Sequence, residues 1–145
     1  MLQRRQVLGG LLAVSVWPAA RAAEPTMEAA VRAWAGSATP RTGRVLLQIP
    51  ELVENGNAVP LLVRVESAMT AAEHVQEIVL FNERNPQRDI ARFQLGPHSG
   101  RAEVATRIRL STSQQILALA RLNDGSVWQQ RVDVLVTLAA CVEGG

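Results

Sequence analysis

The sequence predicts an all-β domain, an immunoglobulin-like β-sandwich of about seven strands with one short N-terminal helix and a flexible C-terminal arm. Three observations carry that expectation. Past residue 41 apolar residues recur with period two, as they do along a strand that buries one face. Turn residues interrupt these runs every eight to fifteen positions, the spacing of a sandwich. The chain of 145 residues is 48% hydrophobic but only 3% aromatic, with no Tyr, so Val, Leu, Ile and Ala must build its core.

Residues 1–22 read as a cleaved signal peptide. Arg4 and Arg5 precede the apolar run Val7 to Trp17, then come Pro18 and the small-residue stretch Ala19-Ala20-Arg21-Ala22 with its A-x-A pattern. The run is shorter than the roughly 20 residues a helix needs to cross a bilayer. A short membrane anchor is therefore the lesser reading, and no membrane insertion of the mature chain is expected. Gln3-Arg4-Arg5-Gln6-Val7-Leu8 fits a twin-arginine export signal, which places the protein in the periplasm.

The mature domain is expected over 23–138. Thr26 can cap a helix over Met27–Ala35, with Glu28 in its first turn and Gly36 after its last residue. Met27, Val31 and Trp34 give that helix a narrow apolar stripe. Seven strand runs follow, at 44–49, 59–66, 75–81, 90–95, 102–110, 116–122 and 127–138, separated by loops at 50–57, 82–88 and 96–100 and by Asp124-Gly125. That last pair signals a tight hairpin, because glycine readily takes positive φ. In the last run Trp128, Val132, Val134, Val136 and Leu138 are expected to share the inward face.

Charge excludes several function classes. The formal net charge is +2, but three of the fifteen arginines lie in the leader and there is no Lys, so about −1 remains on the mature chain. Nucleic acid is not an expected partner, and no Gly-rich phosphate loop is present. His74 and His98, with Met69, are the only candidates for copper, and they lack ligand spacing, so no metal and no classical cofactor are expected. No catalytic residue is predicted: a mobile cysteine cannot be held beside either histidine for nucleophilic catalysis.

The remaining chemistry lies in the tail. Ala139-Ala140-Cys141-Val142-Glu143-Gly144-Gly145 continues no apolar alternation, and Cys141 is the one cysteine of the chain. Residues 139–145 are expected to form an arm whose three residues past Leu138 carry the sulfur roughly 10 Å from the body. A lone cysteine in an exported protein makes either an intermolecular disulfide or a reactive thiol. A buried cysteine acting as a small hydrophobe is disfavoured by its position beyond the last strand.

Several pieces together resemble the SoxY family, the sulfur-carrying subunit of the periplasmic thiosulfate-oxidation complex. They are the leader, Glu54-Asn55-Gly56 with Val59-Pro60, Met69-Thr70-Ala71 with His74-Val75, Asn85-Pro86, Gly100-Arg101-Ala102, Thr106-Arg107-Ile108-Arg109-Leu110, Asp124-Gly125-Ser126 and the tail. The resemblance implies an immunoglobulin-like fold, a heterodimer with a smaller sandwich subunit (SoxZ), and carriage of covalent sulfur intermediates on Cys141. It also implies transient contacts with a cytochrome, a hydrolase and a dehydrogenase, so the chain is a carrier rather than an enzyme. The tail departs from the family's usual Gly-Gly-Cys-Gly-Gly. Ala139, Ala140 and Val142 stiffen it, and Glu143 disfavours the thiolate. The alternative from another class is an immunoglobulin-like assembly module whose cysteine makes an intermolecular disulfide.

Overall fold

A computed structural model describes residues 9–18 and 23–138. Residues 9–18 form neither helix nor strand, and Leu11, Leu12, Val14, Val16 and Trp17 stand in solvent, a costly arrangement for apolar side chains in a mature domain. No helix among the described residues is long and apolar enough to cross a membrane.

Helix α1 spans Met27–Ala35. The Thr26 hydroxyl accepts a hydrogen bond from the Ala29 N–H at 3.1 Å, and Gly36, at φ 63°, donates its N–H back to the Arg32 carbonyl. Both ends therefore stop where the sequence placed them. Thr26→Ala is expected to cost about 1 kcal/mol, read as a lower midpoint in denaturant unfolding.

The strands are β1 (Arg41–Thr42), β2 (Val45–Gln48), β3 (Leu52–Val53), β4 (Val59–Val65), β5 (Val75–Asn82), β6 (Asp89–Gln94), β7 (Glu103–Ile108), β8 (Gln114–Leu122) and β9 (Val127–Val136). One sheet runs β1-β9-β8-β5-β6, with β3 also on β9, and the other runs β2-β4-β7. The seven expected strands are all present, and the fold is the expected all-β sandwich. The additions, β1 and β3, are two residues each, too short to show an alternation, and both pair in parallel with β9. Between them the chain visits the opposite sheet as β2. Gly43 (φ 135°) and Arg44 (φ 57°) make the first crossing, and a Cβ on Gly43 would press on the Trp128 ring at 3.3 Å.

The larger sheet is covered on both faces. On one side Ile78, Leu80, Ile116, Ala118, Ala120 and Val134 meet Val45, Leu47, Leu61 and Val63 of the small sheet. On the other, Val79, Phe81, Leu117, Leu119 and Val127 meet Met27 and Val31 of α1. That double cover explains why β5 and β8 carry runs of consecutive buried residues rather than an alternation. The Asp124-Gly125 hairpin joins β8 to β9 as expected, with Gly125 at φ 84°.

Two details correct the sequence reading of β9. Gln130 also lies on the side facing β2, where its carbonyl oxygen accepts the Leu47 N–H at 2.5 Å, capping an edge donor that no strand satisfies. Leu138 does not continue the inward face; it is 62% exposed. The strand stops at Val136, and Gly56 then draws the Leu138 carbonyl to its own N–H at 2.9 Å, which breaks the period-two geometry.

Candidate functional site

The expected attachment residue Cys141, the arm residues Ala139, Ala140, Val142, Glu143, Gly144 and Gly145, and the export pair Arg4 and Arg5 lie outside the described residues. What the structure builds is the ground from which the arm departs, and that ground is tightly held. Leu135 donates its N–H to the Glu51 carbonyl (2.8 Å) and Thr137 to the Val53 carbonyl (2.9 Å), while Gly56 donates to the Leu138 carbonyl. The Ser113 hydroxyl accepts the Val136 N–H at 2.8 Å from the other side. Residues 135–138 are thus gripped on both edges.

Beneath the root lies a buried polar network. Asn85 Oδ1 accepts from the Ser111 N–H (3.0 Å), the Ser111 hydroxyl (2.9 Å) and Gln114 Nε2 (2.8 Å), and Asn85 Nδ2 donates to the Arg109 carbonyl (2.8 Å). Gln114 Oε1 accepts the Arg84 N–H at 2.9 Å, and Asn82, 1% exposed, donates to the carbonyls of Gln87 and Arg88. The Arg88 guanidinium donates to the carbonyls of Glu83 and Asn85. Loop 83–88 is therefore tied by side-chain amides to the strand start that holds Ser113, and through Ser113 to β9. At its buried members, Asn82 and Gln114, a slip would leave polar atoms unpaired, which favours one geometry, although Arg88 Nε stays buried without a partner. Sequence reasoning quoted Asn85 only as part of a motif and missed Asn82 and Gln114. Their signal is a polar side chain closing an apolar strand run at its loop end.

The quoted motif pieces divide between the two ends of the sandwich. Glu54-Asn55-Gly56, Val59-Pro60, Asn85-Pro86 and Arg109-Leu110 gather at the arm root, where the Leu110 N–H reaches the Gly56 carbonyl at 2.8 Å. Met69-Thr70-Ala71, His74, Gly100-Arg101 and Asp124-Gly125 lie at the opposite end. His74 there donates its N–H to Asn123 Oδ1 and accepts the Asn123 N–H at its carbonyl, its Nδ1 contacts the Thr70 carbonyl, and Met69 Sδ accepts the Val75 N–H. Among the described residues no three His, Cys, Asp or Glu side chains cluster where they could hold a metal ion. β9 separates the two ends by ten residues, about 30 Å at the strand rise. His74 thus lies at the end of the sandwich opposite Leu138.

The far end carries its own ionic lock. Glu73 accepts from Arg44 Nη1 (2.9 Å) and from the Ala68 N–H (3.2 Å). The Ala68 amide, then Arg44, hold its carboxyl below the usual glutamate range. A folded-state value below the unfolded one means stability that is present above the ordinary glutamate value and is lost as pH falls through the lowered one. Hydrogen exchange at Ala68 should therefore lose protection at acid pH before the β8–β9 amides do, and Glu73→Gln should show the lost protection already at neutral pH.

Comparison with known proteins follows the same outline. The sequence profile of the family described as "Sulfur oxidation protein SoxY" matches residues 31–141. Among solved structures, the sulfur carrier protein SoxY from Chlorobium limicola f thiosulfatophilum aligns with a TM-score of 0.65 at 23% identity, covering 78% of this chain and 97% of that one. The superoxide reductase (neelaredoxin) from Ignicoccus hospitalis aligns at 0.58 and 22%, covering 66% and 81%. A superoxide reductase from Nanoarchaeum equitans aligns at 0.56 and 13%, covering 66% and 100%. At these identities the likenesses report a shared sandwich architecture. No curated protein sequence matches the chain.

Proposed function

The chain belongs to the SoxY family of sulfur oxidation proteins, and from that premise we propose that it is a covalent carrier of sulfur intermediates, with Cys141 as the attachment site. The observation that carries this reading is positional. The family match runs to Cys141, the only cysteine of the sequence, which comes three residues after Leu138, the last residue of a segment gripped from both sides. A thiol on a short tether from a rigid post can enter a partner's active site while the body stays outside.

The chemistry follows from the thiolate. Joining the Cys141 thiolate to the outer sulfur of thiosulfate forms an S–S bond and removes two electrons, which a cytochrome partner accepts. Hydrolysis of the terminal S–S bond of the resulting S-thiosulfonate then adds water, releases sulfate and two protons, and leaves a persulfide on Cys141. A dehydrogenase partner oxidises that remaining sulfur. The carrier contributes the thiol and the reach, and no metal or organic cofactor enters its part. In the same reading residues 1–22 are a twin-arginine signal that delivers the folded chain to the periplasm, 23–138 is the sandwich that pairs with a SoxZ-like subunit, and 139–145 is the arm. Ala139, Ala140 and Val142 in place of glycines give this arm fewer conformations, and Glu143 holds a negative charge two residues from the thiol.

The test is the intact mass of the mature protein from cells given thiosulfate, taken with and without reductant. Reductant-labile sulfur or thiosulfonate mass on the Cys141 peptide is expected. A thiol that stays unmodified, or one engaged quantitatively in a disulfide with another polypeptide, would replace the carrier with an assembly module.

A further inference from the structure

One surface beside the arm root is out of character with the rest of the body. Within residues 23–138 four large apolar side chains are exposed, and three of them, Leu52 (59%), Leu135 (58%) and Leu138 (62%), lie at this root. Leu52 and Leu135 are register partners on adjacent parallel strands, so they stand side by side on one face. That face is the one α1 covers further along β9. The helix's cover ends near the Arg131–Glu28 pair (3.5 Å), and Asp133 and Leu135 follow on the same side beyond it.

The rim of the patch carries a net negative charge. Glu51, Glu54 and Asp133 are exposed, and none pairs with a basic side chain among the described residues; Arg84, in the same hollow as Glu51, Asp133 and Leu135, is paired with Glu83 at 3.7 Å. Asp133 shares the Leu135 face by the two-residue period of β9, and Glu54 directly follows β3.

Sign of charge selects the occupant. The arm of this same chain brings Glu143 and, once loaded, an anionic thiosulfonate, so the acidic rim repels it. A second copy docked through the same patch sets carboxylates against carboxylates. We propose that Leu52, Leu135 and Leu138, ringed by Glu51, Glu54 and Asp133, form the surface gripped by an enzyme that acts on the arm's cargo, through an apolar centre flanked by Lys or Arg. This rests on the carrier reading and adds to it a place where the partner holds on. The same rim keeps the loaded arm off the body, leaving the cargo presented.

The experiment loads the full mature chain without any enzyme. The Cys141 thiolate attacks the central S–S bond of tetrathionate, forming the S-thiosulfonate and expelling thiosulfate, so no further oxidant is needed. Loaded protein is then exposed to a periplasmic extract of thiosulfate-grown cells, and loss of the added mass and release of sulfate are followed at limiting carrier. For the unaltered chain the second-order discharge rate should fall as salt rises. Changing Glu51, Glu54 and Asp133 together to Lys should slow discharge about tenfold or more at low salt and abolish the salt dependence. Leu52→Ser with Leu135→Ser should slow it about tenfold at every salt concentration. Melting curves check that the variants fold, and if the Lys set does not, the corresponding Gln set should give a smaller loss of the same kind. Equal discharge of variants and unaltered chain overturns the docking surface alone. So does a dimer of the unaltered chain that the Leu variants dissolve. If the unaltered loaded chain is not discharged at all, the carrier reading fails and this proposal falls with it.

Discussion

Cys141→Ser is expected to remove the covalent sulfur load completely while leaving the fold unchanged. A serine hydroxyl is close to the thiol in size but forms neither a persulfide nor an S-thiosulfonate, and its proton is far too tightly held for it to serve as a nucleophile at neutral pH. The substitution lies past β9 in the sequence and beyond the residues whose bonds hold 135–138. A surface change of this kind shifts stability by about 0.5 kcal/mol or less. Two measurements decide the matter together: intact mass after thiosulfate exposure, and the thermal midpoint. Loss of all reductant-labile mass at an unchanged midpoint fits a carrier. Full retention of the load would place the attachment elsewhere and end the assignment, since the sequence has no second cysteine.

The largest expected effect on stability is that of Asn85→Ala. One side chain there answers three donors and supplies a fourth bond, and Gln114, one of the donors, is 5% exposed. Truncation removes all four bonds and leaves the half-buried Ser111 N–H without its acceptor, while Gln114 Nε2 keeps only the Thr112 carbonyl; an unmet donor away from water costs more than the bond itself contributes. A loss of about 3 kcal/mol is expected, seen as a melting point lower by about 10 °C. The damage should be local before it is global. Because the network reaches β9 through Ser113, hydrogen exchange at Val136 and Thr137 should quicken more than at Val127 or Trp128. A melting point within a degree of the unaltered chain would mean that the network is ornamental and that the arm root owes its rigidity to β3 alone.

Much of this was legible in the residues. The helix could be read because its signals are local: a capping Thr26, an acidic first turn and Gly36 all act within one turn of the backbone. Of the seven longer strands, those buried on one face, such as β2 and β4, could be read because one-sided burial imposes period two on the side chains, and β5 and β8 because short apolar runs are bounded by turn residues. Asp124-Gly125 could be read because positive φ is a property of the residue itself. Cys141 was legible as the sole thiol in a segment with no apolar periodicity, and its role remains a proposal that the family match supports.

Other features were decided by contacts between residues far apart in the chain, which leave no local pattern. β1 and β3 exist only because β9 offers them an edge, and two residues have no periodicity to display. Asn82, Asn85 and Gln114 look like ordinary loop polar residues until folding brings 82–88 against 111–115. Leu138 has the spacing of a core residue, yet β9 ends two residues before it, at Val136, and its side chain is exposed. The sequence by itself determined the strand order along the chain, the helix and the position of the one cysteine, since these depend on short-range sterics and composition. Only the tertiary structure decided how firmly the arm is rooted and which leucines and carboxylates surround it, because long-range pairing chooses which backbone and side-chain groups meet once the core has closed.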